Sequence, residues 1–233
     1  MKKAIVSFVL SLMFPLVLFA DGYTSLWKQY NEAETKDLPK TQIKILNNII
    51  AQAKAGKSYG NLLKAEFDKV ATAFGISDEL FQSELSALKK AAGEASAVDP
   101  ALAAVYNCAL GCSYSLVAKS YYKSDSKKLS REYFDKALAD PEMLASKKAL
   151  DYAPFVREGV DSEIFGNDLL SLVGYYSERY ALLNDYYNKA GNRRASLVTA
   201  LWMLEKRVKA NPVKKVIRGN TYLASLDSLV ALY

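Results

Sequence analysis

Apolar residues recur every three or four positions along almost the whole chain after residue 20, and this spacing constrains the fold more than any other feature. Such spacing places apolar side chains on one face of an α-helix. The pattern is interrupted at residues that commonly begin or end helices, namely Pro39, Gly56, Ser77, Gly93 and either Asn167 or Asp168. Runs of alternating β-branched residues, which are typical of strands, do not occur. The sequence therefore predicts an all-α fold, an array of antiparallel helical hairpins.

One pair of predicted helices suggests a degenerate tetratricopeptide-like repeat. The stretches "YNCALGCSY" and "YFDKALADP" carry residue types similar to the two halves of that helical hairpin, at Leu110, Gly111, Tyr114, Phe134, Ala137 and Pro141. The interval between the halves is several residues too long for a regular repeat. Chance similarity in a helix-rich chain is the alternative interpretation.

The first twenty residues are typical of a secretory signal peptide. A short basic start is followed by an apolar run that ends at Ala20. Leu18 stands where a small residue is preferred, so an uncleaved membrane anchor is the alternative. We expect a signal peptide over 1–20 and a helical domain over 21–233, and therefore an exported protein. We expect no later segment to reach the ~20 apolar residues of a membrane span.

The side chains needed for several kinds of catalysis are missing. The chain contains no histidine, which excludes Ser-His-Asp and Cys-His sites within it and also the ordinary zinc sites. Its two cysteines, Cys108 and Cys112, are one helical turn apart, a poor geometry for a disulfide, so we expect two buried thiols. A disulfide, which export would permit, is the alternative. We predict no catalytic, cofactor-binding or metal-binding residues and a protein that is not an enzyme.

Two short stretches nevertheless invite a catalytic interpretation. Gly56-Lys57-Ser58 matches the end of a phosphate-binding loop, but Ala51 stands where such a loop needs its other glycine, and a predicted helix precedes it. A joint between two helices is the simpler interpretation. Glu163 and Asp168 could form the acid and base of a glycosidase, although a solvated Glu163 and a helix-capping Asp168 explain the same residues. A hydrolase is therefore the least favoured function.

A tyrosine-rich stretch, "YYSERYALLNDYYNKAG", indicates a binding surface, because tyrosine combines a broad apolar face with a polar tip. Tyr176 and Tyr180 share a helical face with apolar neighbours and are predicted to be core residues. Tyr175, Tyr186 and Tyr187 are the candidate binding residues. Packing between helices is the alternative interpretation for all of them.

Charge gives little information about partners. The formal net charge is +6, to which Lys2 and Lys3 of the leader contribute. Basic side chains are concentrated over 206–218, where they could meet an acidic partner or phospholipid head groups, or simply form a solvated helix end. We expect a protein partner and no nucleic acid.

Several stretches of the chain together match the sequence pattern of one protein family. The first matching residues fall in "YTSLWKQYNEAETKDLPK" and "AKAGKSYGNLLKAE", at Tyr23, Leu26, Trp27, Asp37, Leu38, Pro39, Lys54, Lys57, Ser58, Tyr59, Leu62, Leu63, Lys64 and Ala65. Later matches are "ALADPEML", "DSEIFGNDLL" and "YYNKAGNRRASLVTALWML", so the likeness spans most of 22–233. In these stretches the chain resembles the N-terminal helical region of exported alpha-2-macroglobulin-like proteins of Bacteroidetes bacteria, which implies the periplasm or cell envelope of a Gram-negative bacterium.

The resemblance implies a module and not a complete inhibitor. Macroglobulins use β-sandwich domains, a bait segment and often a Cys-x-Glu-Gln thioester, whereas Cys108 precedes Ala-Leu-Gly and Cys112 precedes Ser-Tyr-Ser. The final "SLVALY" suggests a truncated product or a chain that continues in a longer parent. The implied function is a non-enzymatic scaffold or interaction module in protease inhibition or defence, whose partner is a protease or the rest of the parent chain. A free-standing tetratricopeptide-like periplasmic adaptor is the alternative.

Overall fold

The structure is a computed structural model that describes residues 22–121, 124–157, 159, 161–210, 224–229 and 231–232. The predicted signal peptide and most of the basic stretch over 206–218 lie outside these residues. The described residues form helices without a strand, apart from one isolated antiparallel bridge between Lys148 and Asp168. The all-α prediction is therefore confirmed for the described part of the chain.

The chain divides into two compact units, a division that the sequence did not indicate. The first unit contains the described residues up to Val98 together with Tyr152–Val156. The second contains Asp99–Asp151 and the described residues from Arg157 onwards.

Four helices build the first unit: α1 (22–35), α2 (Pro39–Gly56), α3 (Tyr59–Phe74) and α4 (Asp78–Ser96). Consecutive helices pack on one another, α2 on α3 and α3 on α4. Their apolar stripes are buried, and the fully buried side chains include Leu46, Ile49, Leu63 and Leu85. This burial supplies the stability that short helices cannot obtain from propensity alone.

The ends of these helices follow ordinary capping chemistry. Pro39 lies in the first turn of α2, and the hydroxyl of Ser77 accepts a hydrogen bond from the Leu80 amide at the start of α4, as predicted. The prediction that Gly93 ends α4 is wrong, because the helix continues to Ser96. A single glycine inside a helix costs only about 1 kcal/mol, which the burial of neighbouring alanines can offset.

The stretch that resembles a phosphate-binding loop is the joint between α2 and α3. Gly56 is the last residue of α2, and Lys57 takes the left-handed conformation with φ 51°. The amide of Ser58 donates to the carbonyl of Ala53 at 2.9 Å, which closes the helix end. Tyr59 then begins α3. The backbone amides here serve a helix terminus, as the simpler interpretation predicted.

The second unit contains seven helices and two 3-10 turns among its described residues. They are α5 (Pro100–Tyr121), α6 (Ser124–Ala137), α7 (Pro141–Ala145), the turns Ala149–Tyr152 and Ser162–Phe165, α8 (Leu169–Tyr176), α9 (Tyr180–Lys189), α10 (Arg193–Ala210) and α11 (224–229). The last residue of the first turn, Tyr152, is counted with the first unit. Helix α5 packs on α6, α8 packs on α7 and α9, and α9 packs on α10. The stretch "PEMLASKKALDYA" from Pro141 to Ala153 has the pattern of one helix, but α7 ends at Ala145. Beyond it, Lys147 and Ala149 exchange backbone hydrogen bonds with Leu169 and Asn167.

The residues of the suggested repeat meet where α5 packs on α6. A Cβ placed on Gly111 would lie 2.5 Å from the ring of Phe134, so only glycine allows this approach. The hydroxyl of Ser130 donates to the Gly111 carbonyl at 2.8 Å, and the rings of Tyr114 and Tyr133 stack with centroids 5.6 Å apart. Gly111 and Phe134 therefore fix how closely the two helices pack.

Helix α5 is the central helix of the second unit. Within the described part of the chain, its segment Pro100–Ala118 is the one stretch whose length and composition would allow it to cross a membrane. This corrects the expectation that no segment after the leader would qualify. However, 72% of the segment is buried within the structure, as in the core helix of a globular unit, so it is only weak evidence for a span.

The two cysteines lie on α5 and no disulfide joins them. Cys108 is buried, whereas Cys112 is half-buried, so the expectation of two buried thiols holds for Cys108 alone. The pKa of Cys108 is raised well above its ordinary value, mainly by the hydrogen bond with the Cys112 thiol and secondly by burial. Because the thiolate is the reactive form, a thiol with a raised pKa is a poor nucleophile.

Candidate functional site

The tyrosine-rich stretch is distributed over α8, α9 and the turn that joins them. Tyr175 is exposed, with 48% of its surface accessible, and Tyr186 is half-buried. Placing Tyr187 on the surface was wrong, because it is only 3% exposed. Placing Tyr176 in the core was also wrong, because it is 59% exposed. The reason is that α8 stops at Tyr176, so Tyr180 belongs to the next helix and does not continue the same face.

Tyr175 and Tyr176 border a cavity of about 350 Å³ in the second unit. The cavity is lined by residues of both 3-10 turns, the loop around the second turn, α8 and α10: Ala149, Leu150, Arg157, Gly159, Asp161, Ser162, Phe165, Asn167, Asp168, Ser171, Leu172, Tyr175, Tyr176 and Trp202. This volume lies near the lower end of the range of about 300–1,000 Å³ that is usual for ligand sites.

One wall of the cavity is aromatic, and Trp202 of α10 is its centre. The Trp202 ring stacks on Phe165 with centroids 5.3 Å apart, and it meets Tyr175 edge-on at 5.0 Å. It also contacts Tyr180 at 5.6 Å. Sequence reasoning missed Trp202 because "ALWML" has the pattern of a core helix. The wall therefore combines residues from α8, α10 and the second 3-10 turn, and Tyr180 of α9 contacts it without lining the cavity.

The backbone of the loop around the second 3-10 turn is held by hydrogen bonds from both backbone and side-chain donors. The amide of Asn167 donates to the carbonyl of Ser162 at 2.8 Å, and Lys148 donates its Nζ hydrogen to the carbonyl of Gly166 at 2.7 Å. Gly166 and Asn167 both take the left-handed conformation, with φ 66° and 57°. Asn192, at the start of α10, donates to the Ile164 carbonyl at 2.9 Å. These bonds fix the loop before any ligand binds.

Asn167 leaves one polar atom without a partner. Its Oδ1 is buried and accepts no hydrogen bond from the described residues. A buried acceptor without a donor costs about 1–3 kcal/mol. Other atoms of Asn167 line the cavity.

Asp168 is the most constrained polar side chain of the site. It is buried and caps α8 by accepting from the Ser171 amide at 2.8 Å, as predicted for an N-cap. The Tyr187 hydroxyl lies 2.9 and 2.7 Å from its two carboxylate oxygens. Burial raises the pKa of Asp168 above its ordinary value, although the bonds from Ser171 and Tyr187 and the charge of Lys148 oppose the shift. Burial and the adjacent carboxylate likewise raise the pKa of Tyr187.

The carboxylate pair proposed for a hydrolase is not assembled at this cavity. Asp168 lines it, but the exposed Glu163 does not. The carboxylate of Asp168 is occupied by the helix cap and by the Tyr187 hydroxyl. Both residues therefore have the structural roles that the simpler interpretation gave them.

Two charged side chains, Arg157 and Asp161, complete the lining. Arg157 is exposed and Asp161 is half-buried. Within the part of the chain that the structure describes, no ion pair joins them to each other or to another residue, and Asp161 makes no side-chain cap bond to the turn it precedes. Both charged groups are therefore available to a ligand.

Among the residues that the structure describes, no group of three or more Cys, Asp and Glu side chains is placed to hold a metal ion. Comparisons with protein-family models, with curated proteins and with solved structures found no match to this chain.

Proposed function

We propose that this protein is a non-enzymatic interaction module, the helical N-terminal part of an exported alpha-2-macroglobulin-like protein, and that it binds a protein partner through the second unit. Consecutive helices act as the scaffold, in an arrangement of degenerate tetratricopeptide-like hairpins. The partner is a protease or another part of the parent chain.

The cavity beside Tyr175, Tyr176 and Trp202 carries this proposal. Large exposed aromatic side chains are costly to leave in water and are enriched in the centres of protein interfaces. Burial raises the pKa of Asp168, but its hydrogen bonds to the Ser171 amide and the Tyr187 hydroxyl commit this carboxylate to the fold. The geometry therefore supports recognition better than acid–base chemistry.

The pairing of Gly111 with Phe134 supports the hairpin arrangement. Gly111 and Phe134, which match positions of the tetratricopeptide-like pattern, lie in contact, and the close approach of α5 and α6 depends on this pair. The alternative of a free-standing adaptor uses the same scaffold and the same cavity. The genomic sequence after the codon for Tyr233 separates the two, since only the macroglobulin proposal expects an in-frame continuation that encodes β-sandwich domains.

Peptide selection by phage display on the immobilised chain 21–233 tests the interaction role. We expect enriched peptides that bind the wild-type chain and lose affinity about tenfold or more when Tyr175 and Tyr176 are both replaced by alanine. Val98→Ala, which truncates an exposed apolar residue of the first unit, serves as the control and should leave binding unchanged. Failure to enrich any peptide or protein ligand would contradict the proposed function.

A further inference from the structure

The cavity brings together the residue types that dominate binding energy in protein interfaces. Tryptophan, tyrosine and arginine are the commonest hot-spot residues, and here Trp202, Tyr175, Tyr176 and Arg157 line one cavity. The volume of about 350 Å³ suits one or two inserted side chains and not a folded surface. Its occupant is therefore expected to be a short segment.

The apolar surface indicates what the inserted side chain should be. Leu150, Phe165 and Leu172 line the cavity together with the aromatic rings. An aromatic or large aliphatic side chain would bury its own surface here and cover rings that are now exposed. Leu150 itself is 44% exposed.

The charged lining indicates what should lie beside that side chain. The guanidinium of Arg157 has no ion pair with the described residues and presents donors that match a carboxylate. The Asp161 carboxylate is an acceptor, which matches a backbone amide. An extended peptide supplies donors and acceptors of both kinds.

We propose that this cavity binds an extended peptide segment of a partner protein, in which an aromatic or large aliphatic side chain enters the cavity and an adjoining acidic residue pairs with Arg157. This inference rests on the proposed interaction function and specifies its ligand. Oligosaccharides, which also stack on tyrosine and tryptophan rings, are the other class of ligand that the test must separate.

The test titrates the chain 21–233 into fluorescein-labelled short peptides and follows fluorescence anisotropy. One peptide has a central phenylalanine flanked by glutamates, a second has lysines in place of the glutamates, and a third has serine in place of the phenylalanine. We expect the first to bind about tenfold or more tightly than either of the others. Unlabelled gluco- and manno-oligosaccharides are added as competitors and should not displace it.

Two arginine variants identify the charged contact. Arg157→Gln should reduce the preference for glutamate over lysine to about one, because it removes the cation that faces the ligand. Arg194→Gln, which neutralises an exposed arginine of α10 outside the cavity lining, should preserve the preference. Helical circular dichroism of both variants verifies that they are folded.

Three results would overturn the inference: equal binding of the glutamate and lysine peptides, a preference unaffected by Arg157→Gln, or displacement by an oligosaccharide. If phage display still yields peptides that bind elsewhere on the chain, the proposed function survives and this ligand assignment fails. If neither method finds a peptide or protein ligand, both fail.

Discussion

The Tyr187 hydroxyl lies 2.9 and 2.7 Å from the two carboxylate oxygens of Asp168, and this contact joins α9 to the start of α8 beneath the cavity. Asp168 also accepts from the Ser171 amide. One carboxylate thus caps a helix and anchors the next helix. Its neighbour in the chain, Asn167, lines the cavity, so the same contact positions the candidate site.

Replacing Asp168 by alanine should lower the free energy of unfolding by about 2–4 kcal/mol. The variant loses an N-cap, worth about 1 kcal/mol, and leaves the buried Tyr187 hydroxyl without its acceptor, which costs about 1–3 kcal/mol. Asp168→Asn is the matched control, because an amide oxygen can still accept from the Ser171 amide or the Tyr187 hydroxyl. Urea unfolding followed by Trp202 fluorescence, in a Trp27→Phe background, measures both. An alanine variant as stable as the asparagine variant would contradict this role.

The pH dependence of Asp168→Asn follows from the raised pKa of the aspartate. A carboxyl group with a raised pKa in the folded state binds its proton more tightly there than in the unfolded chain. Its contribution to stability is therefore full below the ordinary value of 3.8 and is lost as the pH rises through the folded-state pKa. The stability of Asp168→Asn relative to wild type should rise over this window. A difference that stays constant, or falls with pH, would contradict the shift.

Gly60→Ala should destabilise the first unit by about 1–3 kcal/mol or more, because the close packing at this position leaves no room for a methyl group. A Cβ on Gly60 would lie 1.9 Å from the carbonyl oxygen of Ala153, so the backbone itself would have to shift. Urea unfolding followed by Trp27 fluorescence in a Trp202→Phe background reports on this unit.

Gly93→Ala is the control for Gly60→Ala and should have the opposite sign. Gly93 is an exposed position inside α4, and a Cβ there meets nothing within 4 Å. Alanine should therefore stabilise the helix by about 0.5–1 kcal/mol. Equal effects of the two substitutions would show that the approach of Ala153 to Gly60 is not close.

Native Cys108 should react slowly with a disulfide reagent such as DTNB at mildly alkaline pH, because burial and its raised pKa both suppress the thiolate. The half-buried Cys112 should react first. In denaturant both thiols should react rapidly, and a Cys108→Ser variant should lose the slow phase. Finding no reactive thiol in denaturant without reductant would mean that the two cysteines are bridged.

Local signals in the sequence were sufficient for much of the fold. Ser77 and Asp168 cap helices as expected, since an N-cap depends on a side chain and an amide three residues apart. The end of α4 was misplaced at Gly93 because tertiary burial overrides the propensity of one glycine. The two-unit division could not be predicted, because Tyr152–Val156 joins the first unit through contacts distant in sequence.

The candidate site was predicted only in part for the same reason. Tyr175 could be found from the cluster of tyrosines. Helical periodicity could not show that Tyr176 is exposed and Tyr187 buried. The chain turns at Glu178, which has a left-handed φ of 55°, so the two tyrosines belong to different helices with different buried faces. Trp202 reaches the cavity from a distant part of the chain, and Arg157 lies in the irregular segment between the two 3-10 turns, where helical periodicity gives no signal.

The most direct test of the proposed recognition site is an amide chemical-shift titration of the ¹⁵N-labelled chain 21–233 with the glutamate-flanked phenylalanine peptide. We predict shifts concentrated in 149–176 and at the indole N–H of Trp202, and their loss in the Tyr175→Ala variant. Shifts concentrated in α1 to α4, with the Trp202 indole unchanged, would contradict a recognition site at this cavity.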